Sequence, residues 1–214
     1  MRPVCCSAAA RHGKWRSLQN NERNATFVVS MGVAMGKSKI RWIGLQGPSV
    51  ALNADNVQYK IKVKYSPVIK AGAPSDQMIK NEVPQGVNHL IFNCHGFEDK
   101  STYPAHLAIG TTITKDNVQL MEPIYSNSTL RVIWFSACNI GGSAGAQELC
   151  ERMARITGCY IVTQMLSVPD VNLPIDCLVD NAGLMPSYYN PKGKKISRKE
   201  FFTYGIDNTL FWPV

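Results

Sequence analysis

A chain of 214 residues with 45% hydrophobic and 18% charged residues is globular, not disordered, and long enough to bury one ordinary core. Its formal net charge of +8 admits affinity for nucleic acid, an anionic membrane or an acidic protein. The cations fall in small groups (Lys60, Lys62, Lys64; Lys192, Lys194, Lys195, Arg198, Lys199) with no nucleic-acid motif beside them, so a solvated basic face is expected and no nucleic-acid partner.

In chain order, residues 1–25 read as a flexible N-terminal arm, and 26–214 as a single α/β domain. The first 24 residues are basic with one acid, Glu22, and resemble a transit peptide weakly; they equally read as upstream sequence if synthesis begins at Met31 or Met35. Thr26 to Val33 is a short apolar patch, and Lys39 to Leu45 a strand ending at Gly47-Pro48. Val57 to Tyr65 alternates apolar residues with Gln58, Lys60, Lys62 and Lys64, which predicts an edge strand with one wet, basic face. A short helix is expected over Ser75 to Glu82.

Val87 to Phe97 (VNHLIFNCHGF) is an apolar strand that breaks at His95-Gly96. A ribbon over His106 to Thr112 follows, then a helix from Lys115 to Tyr125 capped by Thr114, with Val118, Met121 and Ile124 on one face. The next run, Thr129 to Gly145 (TLRVIWFSACNIGGSAG), reads as a strand buried on both faces, ending at Ser136-Ala137-Cys138 and loosened by Gly141, Gly142 and Gly145. A helix over Ala144 to Thr157 carries the apolar stripe Ala146, Leu149, Cys150, Met153, Ile156. It also has the i,i+4 pairs Glu148–Arg152 and Glu151–Arg155, with Gly158 as its C-terminal cap. Cys159 to Met165 is the next buried strand, completing a right-handed βαβ unit. A hairpin about Pro191-Lys192-Gly193 and a short helix over Arg198 to Tyr204 close the chain.

Seven cysteines, odd in number and irregularly spaced, exclude a disulfide framework, and no CxxC array supports structural zinc. No metal and no cofactor is expected. Reduced thiols fit a cytoplasmic location, and no stretch reaches the roughly 18 apolar residues of a membrane span. Taken alone, Cys138 reads as a core cysteine and His95 as a strand-end histidine. Taken together they read differently. Two buried strands, one ending in His-Gly and the other in Ala-Cys, bring an imidazole and a thiol to the edge where open α/β sheets hold their chemistry. The histidine takes the thiol's proton, and the N–H groups of Gly96 and Cys138 are candidate donors to the oxyanion.

That order of strands resembles the signature of the caspase-like (clan CD) cysteine peptidases, which include caspases, metacaspases, legumain, gingipains, separase and CHAT domains. The segments HLAIGTTITKDNVQLM, FSACNIGGSAGAQELCERMARITG and CYIVTQ are most similar to the CHAT-like and bacterial haemagglutinin-associated branch. The resemblance covers Val87 to Met165. It implies a three-layer sandwich with a mostly parallel central sheet and helices on both faces. It also implies a thiol endopeptidase with His95 as general base and acid and Cys138 as nucleophile, acting on a protein or peptide. The position two before the cysteine, often a specificity determinant in such enzymes, is Ser136; Asp170 is a second pocket candidate and equally a turn residue. A non-catalytic caspase-like interaction module is the alternative, and a secreted effector the alternative to a cytoplasmic enzyme.

Overall fold

The computed structural model describes residues 41–45, 48–58, 60–164, 177–180, 186–202 and 211–213. The expected arm and the apolar patch at 26–33 lie outside these residues, as do Tyr59 and Asp170.

The centre is a seven-stranded mixed sheet in the order β12-β11-β9-β8-β4-β2-β3. Its strands are β2 (Ser49–Ala54), β3 (Val68–Ile69), β4 (His89–Asn93), β8 (Val132–Ser136), β9 (Tyr160–Gln164), β11 (Pro186–Tyr189) and β12 (Lys195–Ile196). The five strands from β3 to β9 run parallel, and β11 and β12 add antiparallel pairs at one edge. β4 and β8 are buried along their apolar lengths, as continuous Val/Ile/Leu/Phe/Trp runs in a parallel sheet require. A three-stranded ribbon of β5 (His95–Phe97), β6 (His106–Ala108) and β7 (Ile113–Thr114) leaves the end of β4. β1 (Arg41–Leu45) belongs to a separate three-stranded sheet with β10 (Cys177–Asp180) and β13 (Phe211–Pro213). No helix among the described residues is long and apolar enough to cross a membrane.

The larger core lies on one face of the sheet. Leu52, Leu90, Phe92, Ile133, Phe135 and Ile161 meet α1 (Ser75–Glu82), a 3₁₀ helix (Val118–Ser126) and α2 (Ala144–Thr157) there. Alternation sends Ala51, Ile91, Val132, Trp134 and Val162 to the other face, against Ile61, Tyr188 and Phe201. Among the described residues that second face carries only the three-residue helix α3 (Arg198–Glu200) and irregular chain, so full helical layers on both faces are not seen.

The helix bounds at Ser75–Glu82 and Ala144–Thr157 are those the sequence predicts, as is Gly158, left-handed at φ 66°. Two expected elements differ. The helix predicted from Lys115 starts three residues later and is wound as 3₁₀. Asn117 Oδ1 accepts from the Thr114 backbone N–H at 2.8 Å, holding Thr114 in β7, and Pro123 inside the helix has no N–H for an α-helical bond. Val57 to Tyr65 forms no ladder strand among its described residues; the isolated β-bridge it makes to the sheet is from Tyr65 to Val50.

The cause of that second difference is Asn53. Its Nδ2 donates to the carbonyls of Ala51 and Ile61, each at 3.1 Å, and its Oδ1 accepts from Ile61 N–H at 2.7 Å and Asn93 Nδ2 at 2.8 Å. A side-chain amide thus replaces the ladder. Lys60, expected in solvent, turns back so that its Nζ donates to the carbonyls of Asp55 and Val57 at 3.0 and 2.9 Å. Tyr65, expected on the covered face, is 40% exposed beneath the Lys64 ammonium.

Replacing Asn53 by Ala removes the partner of the buried Ile61 N–H and carbonyl, each worth about 1–3 kcal/mol, and one bond to Asn93. Urea unfolding of Asn53→Ala is therefore expected to show a loss of about 3 kcal/mol, against less than about 0.5 kcal/mol for the exposed Lys62→Ala.

Candidate active site

β4 and β8 are parallel neighbours in the register His89↔Val132 through Asn93↔Ser136. The Cys94 N–H donates to the Ser136 carbonyl at 3.3 Å and extends the pairing by one step. His95 and Cys138 each stand two residues beyond the last common rung, on chains about 4.8 Å apart. Both are half-buried, at the C-terminal edge of the sheet.

Gly96 fixes the closeness of these two strand ends. A Cβ at this position would lie 2.6 Å from Ile140 Cγ1, 3.0 Å from the Ala137 Cβ, and inside contact distance of the Cys138 carbonyl oxygen. Only glycine allows the backbone beside His95 to rest on the backbone of Cys138. After Cys138 the chain turns sharply, with Asn139 in the left-handed region at φ 57°, a conformation asparagine tolerates better than most residues. The Thr163 hydroxyl on β9 donates to the Ile140 carbonyl and ties that turn to the next strand.

A clamp absent from the sequence reading joins the two loops. Asp99, four residues after His95, accepts from the Ser143 hydroxyl and from the Gly145 N–H at 3.0 Å. Ser143 is the N-cap of α2, accepting from Ala146 N–H at 3.3 Å. The loop after the histidine is thereby fastened to the helix after the cysteine, with a carboxylate at the positive helix end. The Ser143 hydroxyl, with help from main-chain N–H groups, holds the Asp99 carboxyl below its ordinary value. Gly145 is required here, because a Cβ would lie 2.9 Å from Asp99 Oδ1. The signal available in sequence was Ser143 at a helix start; its partner is 44 residues away.

Ser136 is half-buried on the rung beneath Cys138, level with Asn93. Phe97 stacks on His106 with centroids 4.6 Å apart, and Tyr103 meets both edge-on. His106 is thus a ribbon residue, its Nδ1 2.8 Å from the Pro104 carbonyl. His89 is a buried strand residue whose Nδ1 accepts from Trp134 Nε1 at 3.4 Å. A cavity of about 510 Å³ opens between the two loops, lined by Asp99, Tyr103, Lys115, Gly145 and Glu148 among others. It lies beside the pair, and neither His95 nor Cys138 lines it. Glu148 is held ionised by Lys115 at 2.8 Å and by Arg152 at 2.6 Å.

The remaining described thiols are core groups. Burial, with a smaller push from the neighbouring Cys138, drives the Cys94 thiol far above its ordinary value. Burial does the same to Cys150 and raises Cys159 to about 11. Among the described residues no cluster of three or more His, Cys, Asp or Glu could hold a metal ion.

Two outcomes follow from this geometry. Gly96→Ala must push the strand ends apart or bend the Cys138 loop, with an expected overpacking cost of about 1–3 kcal/mol in chemical unfolding. Because Asp99 releases its proton more readily folded than unfolded, its stabilising contribution is complete above about pH 4 and is lost as acid titrates it through its depressed folded value. The melting temperatures of wild type and Asp99→Asn are expected to differ at pH 6 and to converge below pH 3.

No family model, no curated protein and no solved structure matches this chain.

Proposed function

We propose that the chain is a cysteine endopeptidase on a caspase-like scaffold, with Cys138 as nucleophile and His95 as general base and acid. The observation that carries this reading is the shared edge: adjacent parallel strands, in register to Asn93↔Ser136, each reach their reactive residue two positions later. Gly96 lying on the Cys138 main chain supports it, since the same contact brings two candidate oxyanion donors, the N–H groups of Gly96 and Cys138, onto neighbouring chain segments.

In the proposed reaction His95 takes the Cys138 proton and Sγ attacks the scissile carbonyl carbon. The carbonyl oxygen becomes an oxyanion facing the two N–H groups. The C–N bond then breaks as the His95 imidazolium returns its proton to the leaving amine, leaving a thioester on Cys138. Water, deprotonated by the same imidazole, hydrolyses that thioester and restores the thiol. Ser136, one rung below, lies where it could meet the substrate side chain before the cut bond. Asp99 and Thr163 serve as positioning residues for the loops that carry the pair.

Labelling by an iodoacetamide probe or a peptide acyloxymethyl ketone near pH 7.5 tests the dyad. Cys138→Ala is expected to abolish active-site labelling, and His95→Ala to slow it about 100- to 10,000-fold. Cys94, Cys150 and Cys159 should stay unlabelled in the folded protein, being buried and held protonated. Labelling spread over several thiols and indifferent to both substitutions would sink the reading. Selective Cys138 labelling without cleavage of any peptide in a degenerate library would instead favour the non-catalytic interaction module.

A further inference from the structure

The hairpin of β11 and β12 and the short helix after it carry five Lys or Arg residues between Lys192 and Lys199, all exposed. Arg155 joins them from α2. Its side chain lies against Gly193, where a Cβ would fall 2.9 Å from Arg155 Cγ and 2.7 Å from the Glu151 carbonyl. The i,i+4 pair with Glu151 expected from sequence does not form among the described residues, because Arg155 packs over the hairpin. Lys192, Lys194, Lys195 and Lys199 likewise form no ion pair there. Of the nearby acids, Glu200 accepts from Ser197 N–H at 2.7 Å in its capping box and also faces Lys194; set against Glu200 and Glu151, the six cations keep a formal excess of four.

We propose that this cationic hairpin is a docking surface for a bilayer rich in anionic lipid. Three observations favour a lipid surface over a nucleic acid. Four of the six cations are lysines, point charges suited to diffuse phosphate and carboxylate headgroups, with no forked geometry imposed. The cations sit on a turn and a helix start, whereas the cavities found at the surface lie elsewhere, beside Asp99 and beside Asp55. Among the described residues the hairpin's own rings, Tyr188 and Tyr189, are buried, and Phe202 is half-buried under the Arg198 guanidinium at 4.8 Å, so none of the three is open to base stacking.

The strand registers also place this surface. Pro186 pairs with Gln164, and β11 runs back to Tyr189 opposite Ile161, which is level with Ile133. Lys192 therefore lies about eight strand residues from the level of Cys138, roughly 25 Å at about 3.3 Å each. A membrane bound at the hairpin leaves the His95–Cys138 edge facing solution.

Co-sedimentation with vesicles tests the proposal without any activity assay. Wild type should pellet with phosphatidylcholine:phosphatidylserine (70:30) vesicles at 50 mM salt, less so at 300 mM salt, and should not pellet with pure phosphatidylcholine. Each lysine near an anionic surface is worth about fivefold in binding, so Lys192→Ala/Lys194→Ala/Lys195→Ala should weaken it about 100-fold. A control of equal charge change, Lys62→Ala/Lys64→Ala/Lys70→Ala, should leave binding within about threefold of wild type. Circular dichroism melting checks that both triples fold. Equal binding to neutral vesicles, or equal loss in the two triples, would overturn the proposal. So would binding of a 20-base-pair duplex at salt concentrations where phosphatidylserine vesicles are not bound.

Discussion

The absence of a side chain at Gly96 is the constraint on which the site depends. Two residues past the ends of β4 and β8 stand groups whose chemistry is ordinary alone, a half-buried histidine and a half-buried thiol. What makes them a pair is how near the two chains stay after the ladder ends, and that distance is set by main chain resting on main chain. A methyl group there would meet a carbonyl oxygen, which cannot swing aside as a flexible side chain can. Everything else at this edge preserves the same closeness. Thr163 holds the Ile140 carbonyl from β9, and Asp99 holds the start of α2 from the loop after His95.

Beneath the pair lies a polar rung that crosses three strands, Asn53 on β2, Asn93 on β4 and Ser136 on β8. Polar side chains in a buried sheet are costly unless their bonds are made. Asn53 makes four: two to the main chain of Ile61, one to the Ala51 carbonyl, one to Asn93. The rung therefore does structural work away from the chemistry, since it holds the 57–65 segment over the smaller core. It also sets the level at which the strands leave the apolar interior, two residues before His95 and Cys138.

Local signals were legible where one interaction decided the outcome. The α2 bounds follow from Ser143 as cap, an apolar stripe and Gly158 in the left-handed region, all within sixteen residues. β8 follows from an uninterrupted apolar run, and the turn at Pro191-Lys192-Gly193 from its residue types. The failures came where a distant side chain outbid a local pattern. Alternation in Val57 to Tyr65 is genuine, with Ile61 buried and Lys62 and Lys64 exposed, yet an asparagine eight residues before Ile61 takes its backbone groups. Pro123 spoils an α-helix whose apolar spacing was correct. Asp99 was unreadable as a clamp because its partners lie 44 and 46 residues on.

Among the described residues the lysine-rich hairpin turn and the His95–Cys138 edge stand apart along the strands. Around the cavity beside the pair, Glu148 answers Lys115 and Arg152, and Asp99 answers the positive end of α2. The formal charges of these four side chains, Lys115, Arg152, Glu148 and Asp99, sum to zero. Lys192 at the hairpin turn, roughly 25 Å from the level of Cys138 by strand count, lies beyond two Debye lengths at physiological ionic strength. Over that distance salt screens its field almost completely, so a charge-driven contact at the hairpin turn would leave the strand edge electrostatically undisturbed.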